Sequence, residues 1–244
     1  MSIYIIAHKK FKCPVNDKIY KTMQVGADIN DVISDKWCMD NTGDNISKKN
    51  KSYNELTGLY WIWKNATDDV VGLCHYRRYF VKPLGKVANI VFGKKCMFTD
   101  RNEIEKILSK YDLIVHNKTY FAQGCKNQYI ESQKYPNDID VLRKVLVEDY
   151  PEYVDGYDKV MNGKACHLLN MMIGKKEIVD KYCEWLFEVL FKVEDKLREK
   201  GETSFDRRMG MLGERMLDIW IVKNEIKVKE MFSINTERRD LKAW

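Results

Sequence analysis

The sequence contains no long uninterrupted apolar stretch. Among its 244 residues, 45% of them hydrophobic, no run approaches the roughly 18 apolar residues that a membrane-spanning helix needs. The amino terminus, MSIYIIAHKKF, has no basic leader before its short apolar run, so we expect a first strand there and not a signal peptide. A chain of this length and composition is sufficient for one large domain with a substantial core.

The cysteines do not form the pattern of a disulfide framework or of a structural zinc site. Their number is odd, no two are spaced as Cys-x-x-Cys, and they are scattered over positions 13, 38, 74, 96, 125, 166 and 183. This usage is typical of a reduced cytosolic protein. We therefore predict a cytoplasmic location, either free or peripheral at the cytoplasmic face of the membrane.

The chain also has no dense basic stripe, although its formal net charge is +6. A nucleic-acid-binding domain usually concentrates Lys and Arg on one face or along one helix. The charge balance therefore favours anionic small ligands or a loose contact with an acidic membrane surface, and we expect no nucleic-acid partner. The basic segment from Lys227 to Lys242 is the candidate for contact with anionic headgroups.

Alternating strand and helix patterns predict an α/β fold with a largely parallel central sheet. Strands are predicted at residues 3–7, 23–27, from 70 to about 75, 113–115, 165–173 and 226–231, by apolar runs bounded by polar residues. Helices are predicted at 52–65, after 100, at 136–148, through 160, at 175–200 and at 209–222. Ser52 and Glu55 have the spacing of a capping box. Residues 28–51 and 119–135 are predicted loops.

The segment VVGLCHYRRYF indicates a ligand site. Its apolar first half predicts a buried strand whose carboxyl end carries His75, Tyr76, Arg77 and Arg78. Ligands of open α/β sheets bind at that end of the strands, and each arginine fork can donate paired hydrogen bonds to phosphate oxygens. Both arginines can reach one ligand only if the strand has ended by Arg77, since alternate residues face opposite ways. A solvated turn or a structural ion pair is the alternative interpretation.

Two other predicted strands end in comparable positions. The first is followed by His8 and Lys9, which are either ligand-binding residues or an exposed basic turn. The second ends near Gly26, where a glycine either lets the backbone approach a ligand or simply makes a turn.

Six segments of the chain carry a family likeness: YIIAHKK, VGAD, GDNISKKNKSYNELTGLYWIWKN, GLCHYRRYF, HLLNMMIGKKEIVDKYCEWLF and LGERMLDIWI. In their order and spacing they resemble the DUF4422 family of proteins from bacterial capsule and exopolysaccharide gene clusters. The likeness covers nearly the whole chain. It implies a GT-A-like, Rossmann-type sandwich and glycosyltransferase activity. The donor would be a nucleotide sugar, UDP-linked by expectation with UDP-galactofuranose among the candidates. The acceptor would be a growing, lipid-linked surface glycan.

The resemblance also implies a division of the chain and a donor site. Residues 1–244 would form one glycosyltransferase domain, with a nucleotide-sugar-binding half at 1–118 and an acceptor-side half at 119–244. The predicted donor-binding residues are those at the strand ends, namely Ala7, His8, Lys9, Val25, Gly26, His75, Tyr76, Arg77 and Arg78.

The usual metal-binding motif of GT-A enzymes has no clear counterpart. Where many of them carry Asp-x-Asp after the central strand, this chain has the run that begins at His75. Asp138 and Asp140 match the Asp-x-Asp spacing, but they lie at the start of a predicted helix, where the helix dipole favours acidic residues. Asp68 and Asp69 precede their strand. We therefore predict transfer that requires no cofactor, with protein cations in place of the metal, while Mn²⁺ or Mg²⁺ stays open.

An acceptor-side carboxylate is expected if the transfer inverts the anomeric carbon. Glu214, predicted to open a helix, is the preferred base, although an ion pair with Arg215 or Arg207 would explain it equally well. Asp44 is the reserve candidate.

Three polar residues are candidates for the sugar or acceptor pocket: Asn45, His167 and Asn170. The alternative roles are a local turn for Asn45, as for Asp44, and satisfaction of buried backbone groups for His167 and Asn170.

Two other function classes remain. A nucleotidyl or phosphoryl transferase would also use a diphosphate site, but the chain lacks a GxxxxGK[ST] loop and an acidic metal cluster. A non-catalytic glycan- or nucleic-acid-binding module would stack its ligand on Tyr76, Tyr79, Tyr120 or Phe121.

Overall fold

The computed structural model describes residues 1–82, 98–132 and 135–237. Nine strands of these segments form one sheet in the order β10-β6-β9-β4-β1-β2-β3, with β5 paired to β4 and to β11. The strands are β1 (Ser2–Ala7), β2 (Tyr20–Gln24), β3 (Cys38–Met39), β4 (Val70–His75), β5 (Arg78–Phe80), β6 (Leu113–His116), β9 (Met172–Lys175), β10 (Val228–Met231) and β11 (Ser233–Asn235). A separate pair consists of β7 (Thr119–Tyr120) and β8 (Ala165–Cys166).

The helices are α1 (Asn50–Tyr53), α2 (Leu56–Asn65), α3 (Arg101–Leu108), α4 (Cys125–Ser132), α5 (Asp138–Asp149), α6 (Val154–Met161), α7 (Lys176–Glu199) and α8 (Arg208–Lys223). Short 3₁₀ turns at Ser47–Lys49 and Pro151–Tyr153 lead into α1 and α6. In the part of the chain that the structure describes, no helix is both long and apolar enough to cross a membrane.

The sheet is buried on both faces, as a central parallel sheet requires. Strand β1 shows this, because Tyr4 and Ile6 join one apolar core while Ile3 and Ile5 join the other. The first core is the larger and packs under α2 and α5–α8, whereas α3 covers the second. Strands β3, β2, β1 and β4 are mutually parallel, and β9 is antiparallel to β4 and β6. The predicted α/β sandwich with a mostly parallel central sheet flanked by helices is confirmed.

Most predicted elements are present. The long helix predicted at 175–200 is α7, and Asp100 caps α3 by accepting a hydrogen bond from the backbone N–H of Glu103. The division at residue 118 stays a prediction, although strands from both sides of it share the main sheet. The irregular stretch at 83–97 and the basic residues at 238–242 lie outside the described residues.

Three predictions of local structure are wrong. The strand predicted at 165–173 is two strands, β8 and β9, because Leu169 and Asn170 between them have φ values of 81° and 51° that no strand permits. The predicted loop at 119–135 contains β7 and α4, whose weak apolar period hid the helix.

The third error is the capping box. Ser52 lies inside α1, and Asn54 interrupts the predicted helix with a φ of 49°. Glu55 precedes α2 and makes no capping hydrogen bond. The carboxylate that the sequence pattern assigns to a helix cap is therefore available elsewhere.

Candidate active site

A cavity of about 390 Å³ lies at the carboxyl ends of β1, β2 and β4. Ile6 and His8 border it from β1, Val25 from β2, and the four residues from His75 to Arg78 from β4 and the turn after it. The remaining lining comes from outside the sheet, from Asn50, Asn54, Glu55, Leu169, Arg207 and Glu214. The structure thus brings residues that are far apart in sequence to the sheet edge where α/β proteins bind ligands.

The β4–β5 hairpin presents both predicted arginines to this cavity. Strand β4 ends at His75, Tyr76 and Arg77 form the turn, and His75 pairs with Arg78 across the two strands. Cross-strand partners lie on the same face of a sheet. The condition set by the sequence, that the strand has ended by Arg77, is met, and both arginines line the cavity.

The imidazole of His75 is neutral at physiological pH. Burial, reinforced by the charge of Arg78, lowers the pKa of His75 to about 3. Its Nε2 is buried and has no hydrogen-bond partner in the described chain. Burial, followed by the charges of Lys9, Arg77 and Arg207, also lowers the pKa of His8. The positive charge of the cavity therefore comes from its arginines.

Tyr76 is the centre of a small aromatic and cationic cluster beside the cavity. The His8 ring meets it edge to face at 5.2 Å, and Lys9 Nζ and Arg77 Cζ lie 5.0 and 5.6 Å from its ring centroid. The exposed carboxylate of Glu237 lies 3.1 Å from Lys9 and 3.5 Å from Arg77. An incoming anion would meet two cations that are already close together.

Two carboxylates share the cavity with the arginines. Glu55 Oε1 accepts a hydrogen bond of 2.8 Å from Asn170 Nδ2, and Glu214 Oε1 accepts one of 3.1 Å from the backbone N–H of Leu169. Burial, and then the neighbouring charge of Glu214, raises the pKa of Glu55 to about 7. Burial also raises the pKa of Glu214, against the opposing influence of Arg215.

The backbone around the cavity is strained. Five non-glycine residues have positive φ in the described ranges, and four of them, Asn54, Leu169, Asn170 and Arg207, line the cavity or bind one of its carboxylates. Such conformations destabilise a fold by on the order of 1–3 kcal/mol each and cluster at functional sites. The surrounding packing therefore holds this cavity in a shape that local preference does not favour.

A close approach of α8 to α1 brings the two carboxylates together. A Cβ at Gly210 would lie only 2.7 Å from Asn54 Nδ2 and 3.1 Å from the carbonyl oxygen of Tyr53. Only glycine fits there without displacing backbone. Glu214 lies one turn further along α8, inside the helix and not at its opening as predicted. Helix α8 thereby faces the residue that precedes α2, which is Glu55.

The loop that follows β2 at the cavity is organised by a buried acid, Asp40. Its two carboxylate oxygens accept hydrogen bonds from the backbone N–H groups of Gly26 and Ala27 and from the hydroxyls of Ser47 and Thr57, at 2.6–3.0 Å. Gly26 has a φ of +67° and no room for a side chain, since a Cβ would lie 2.7 Å from Asn50 Oδ1. Gly26 is therefore a required turn residue at the edge of the cavity.

Seven predicted site residues do not line the cavity, namely Ala7, Lys9, Gly26, Asp44, Asn45, His167 and Asn170. Asp44 is exposed and caps the far end of α2 through Asn65 and Tyr60. Asn45 makes only local bonds, to Gly43 and Ser47. The backbone carbonyl of Ala7 accepts a hydrogen bond from Val25, and Lys9 lies in the cluster around Tyr76.

His167 is also absent from the cavity, whereas Asn170 reaches it indirectly. The buried His167 ring donates from Nδ1 to Asp218 Oδ1 at 2.6 Å, and its Nε2 lies 3.5 Å from Glu230 Oε1. Asn170 is buried beside Glu55, where its amide also donates to the carbonyl of Gly210 at 3.1 Å. It supports the cavity and does not line it.

The Asp-x-Asp sequence at 138–140 supplies one partner of an ion pair, Asp138. Asp138 is fully buried and binds the guanidinium of Arg208 through two hydrogen bonds of 2.6 Å. Within the described ranges no group of three or more His, Cys, Asp or Glu residues has an arrangement suited to a metal. Metal independence stays a prediction.

Glu55 and Arg207 line the cavity although their sequence context does not predict it. Glu55 stands in a Ser-x-x-Glu pattern that a capping box explains fully, so no local signal separates the two roles. Arg207 precedes α8 with a φ of 58° and lines the cavity. Its position depends on the hydrogen bond from its N–H to the carbonyl of Lys51 at 2.7 Å, a contact between distant segments.

Comparison with known proteins gives a family and a structural neighbour. The family model described as a domain of unknown function, DUF4422, matches residues 2–225. The fold is similar to the WbbM bifunctional glycosyltransferase in its apo structure, with a TM-score of 0.79 and 29% sequence identity. That match covers 97% of this chain and 45% of the other, so the chain spans under half the length of that protein. No curated protein sequence matches the chain.

Proposed function

The chain belongs to the DUF4422 family, and from this membership and the cavity we propose that it is a glycosyltransferase. The observation that carries the proposal is that one cavity holds three arginines and two carboxylates. Neither carboxylate forms an ion pair with a described residue, and each accepts a hydrogen bond from a neutral donor. A nucleotide-sugar donor needs cations for its diphosphate, and sugar transfer needs a carboxylate near the reacting carbon. Similarity to a bifunctional glycosyltransferase at 29% identity supports this assignment.

We propose that Arg77, Arg78 and Arg207 bind the diphosphate. Two of them follow a strand end at the sheet edge and the third precedes a helix, so they approach the cavity from different elements. Guanidiniums stabilise the negative charge that develops on the leaving diphosphate, a role that a divalent metal fills in other enzymes. The donor is UDP-linked in this proposal, with UDP-galactofuranose among the candidates.

The acceptor is a hydroxyl group of a growing, lipid-linked surface glycan. Such an acceptor would keep the enzyme at the cytoplasmic face of the membrane. Glu214, the predicted base, lines the cavity with Glu55, so the proposal assigns the acceptor-side chemistry to these two residues. Asp44 is not included, because it lies at the other end of α2.

Thermal shift with a panel of nucleoside diphosphates and nucleotide sugars tests the donor site. A ligand that binds the folded state alone raises its unfolding midpoint according to its affinity. We expect one nucleotide to stabilise the wild type in EDTA, and Arg77→Ala to lose that stabilisation. Arg143→Ala is the matched control, because Arg143 forms an exposed ion pair with Asp158 on α5 and α6.

Two results would contradict the proposal in different ways. Stabilisation only with Mn²⁺ would mean that an acidic metal site, and not the arginines, binds the diphosphate. No stabilisation by any nucleotide, together with binding of a glycan, would favour the non-catalytic binding module.

A further inference from the structure

Glu55 and Glu214 share a cavity but differ in the charges around them, and the difference assigns their roles. We propose that Glu55 is the catalytic base that takes the proton of the attacking hydroxyl, and that Arg215 is a positioning residue that keeps Glu214 anionic. The inference rests on the proposed function. Its substrates are a nucleoside-diphosphate sugar and a hydroxyl acceptor.

Glu55 is oriented by a neutral group. Its Oε1 accepts the 2.8 Å hydrogen bond from Asn170, whose amide is itself fixed by the carbonyl of Gly210 at 3.1 Å. No hydrogen bond from another described residue reaches Oε2 of Glu55, and this half-buried side chain borders the cavity. One carboxylate oxygen is thus held in place while the other is available to a substrate hydroxyl.

Arg215 places a buried positive charge next to Glu214. The residue is 1% exposed, and its guanidinium donates to Cys166 Sγ and Gln128 Oε1 and lies 5.6 Å from the centre of the Tyr129 ring. Its Nε has no partner in the described chain. None of these contacts carries a negative charge, and a buried charge without a counter-ion is strongly unfavourable.

The charges facing each carboxylate are therefore unequal. Glu55 faces the charge of Glu214, which raises its pKa, with Arg207 as the cation that opposes this. Glu214 faces Arg215, Arg207 and Arg78, and all three oppose the rise that burial causes in its pKa. The imidazoles of His8 and His75, also at the cavity, have lowered pKa values and add no charge at neutral pH. Glu55 is therefore the carboxyl of this coupled pair whose surroundings more strongly favour the neutral form.

The transfer is then a single displacement. The acceptor hydroxyl oxygen forms a bond to the anomeric carbon while the bond from that carbon to the diphosphate breaks. The bonding electron pair leaves with the nucleoside diphosphate, next to Arg77 and Arg78. The hydroxyl proton passes to Glu55 and afterwards to water. The anion of Glu214 stabilises the positive charge that develops on the sugar ring.

Donor hydrolysis, with water as the acceptor, tests the base without a defined glycan. UDP-galactofuranose, UDP-galactose and UDP-glucose are the probes, and released UDP is measured between pH 5 and 9. We expect turnover of the wild type to rise with pH through about 7. Glu55→Gln should lower turnover by about a hundredfold or more and abolish that rise, with UDP affinity unchanged by calorimetry.

Arg215 variants separate positioning from packing. Arg215→Met keeps much of the volume and removes the charge, so the pKa of Glu214 should increase. Because the two carboxyls titrate as a coupled pair, the rise in turnover should then move to higher pH. Arg215→Lys restores the charge and should return the profile toward that of the wild type. A Glu55→Gln enzyme that keeps its rise in turnover near pH 7, or a sugar covalently trapped on Glu214, would overturn the assignment.

A second measurement needs no substrate. In protein with ¹³C-labelled glutamate carboxyls, we expect one resonance to titrate near pH 7, to disappear in Glu55→Gln and to move upward in Arg215→Met. If every glutamate titrates below about pH 5, the assignment is wrong whatever the enzyme does. If the resonance behaves as expected but no donor is hydrolysed or bound, the proposed function fails and the coupled pair of carboxylates stands.

Discussion

Glu194 on α7 and Glu55 just after α1 are two carboxylates with opposite surroundings. Glu194 lies between α1 and α7 and accepts hydrogen bonds from Lys49 at 2.9 Å, Tyr53 at 2.7 Å and Arg198 at 2.5 Å. Burial pushes its pKa upward, but these donors outweigh burial and lower it. Glu55 receives one neutral amide, and its pKa is raised to about 7. The hydrogen-bond and ion-pair partners of a buried carboxylate therefore determine whether it stabilises the fold or stays available for chemistry.

The arginines show the same contrast. Arg208 is 3% exposed and binds both oxygens of Asp138, a pairing that joins α8 to α5. Arg77 and Arg207 are on the surface of the cavity, and Arg77 meets only the exposed carboxylate of Glu237 at 3.5 Å. Arg208 is therefore compensated by a buried acid at a helix interface, whereas Arg207 forms no ion pair among the described residues and Arg77 pairs with an exposed acid.

The largest expected effect is the loss of a compensated pair. Arg208→Ala leaves the fully buried carboxylate of Asp138 without its cation, so the free energy of unfolding should fall by about 3–5 kcal/mol in urea titrations. Arg143→Ala removes one partner of an exposed, solvent-screened pair and should leave the free energy of unfolding nearly unchanged. Equal effects of the two substitutions would remove the distinction between buried and surface pairs.

A smaller effect of opposite sign is expected at Glu55. Its folded pKa is raised from the model-peptide value of 4.5 to about 7, so the stability that its protonated form contributes is present below pH 4.5 and is lost as the pH rises through 7. Glu55→Gln cannot ionise. It should nearly match the wild type at pH 4.5 and be more stable at pH 8, by about 3 kcal/mol.

Chemical unfolding at the two pH values measures this difference. The same substitution at Glu188, an acid on α7 that is exposed, gives the background pH dependence of a solvated carboxylate. At pH 8, the increase in the free energy of unfolding over the wild type should be larger for Glu55→Gln than for Glu188→Gln. Equal increases would show that ionisation of Glu55 does not destabilise the fold.

The smallest expected effect is at Asp44, which the sequence makes a reserve catalytic residue. Its carboxylate accepts a 3.2 Å hydrogen bond from Tyr60 and lies outside the cavity. Asp44→Asn should change donor hydrolysis by less than about twofold and stability by no more than about 0.5 kcal/mol, as for most exposed substitutions. A loss of turnover near that expected for Glu55→Gln would indicate that Asp44, at the carboxyl end of α2, is the catalytic carboxylate.

The sequence predicts the strand-end part of the cavity well, because strand ends are local features. The apolar run from Val70 and the polar run from His75 are adjacent in the chain, and so is the turn that lets both arginines share the cavity. The parallel register then places His8 and Val25 beside them without further information.

The position of Glu55 in the cavity is harder to predict, because it depends on contacts between distant segments. Glu55 leaves its expected capping role only because Asn54 takes a left-handed conformation and Asn170 arrives from a loop more than a hundred residues away. That loop is apolar in sequence, so it resembles one continuous strand. The left-handed residues that break it, Leu169 and Asn170, have no local sequence signature.

The most direct test makes one isosteric change, glutamate to glutamine, at Glu194 on α7 and at Glu55 before α2. Each variant is measured for its free energy of unfolding at pH 7.5 and for donor hydrolysis per folded molecule. The account predicts a crossed result: Glu194→Gln is less stable and hydrolyses the donor at the wild-type rate, whereas Glu55→Gln is at least as stable and loses about a hundredfold in turnover. Parallel results, in which both variants lose stability and turnover together, would contradict the separation of compensated from uncompensated charge.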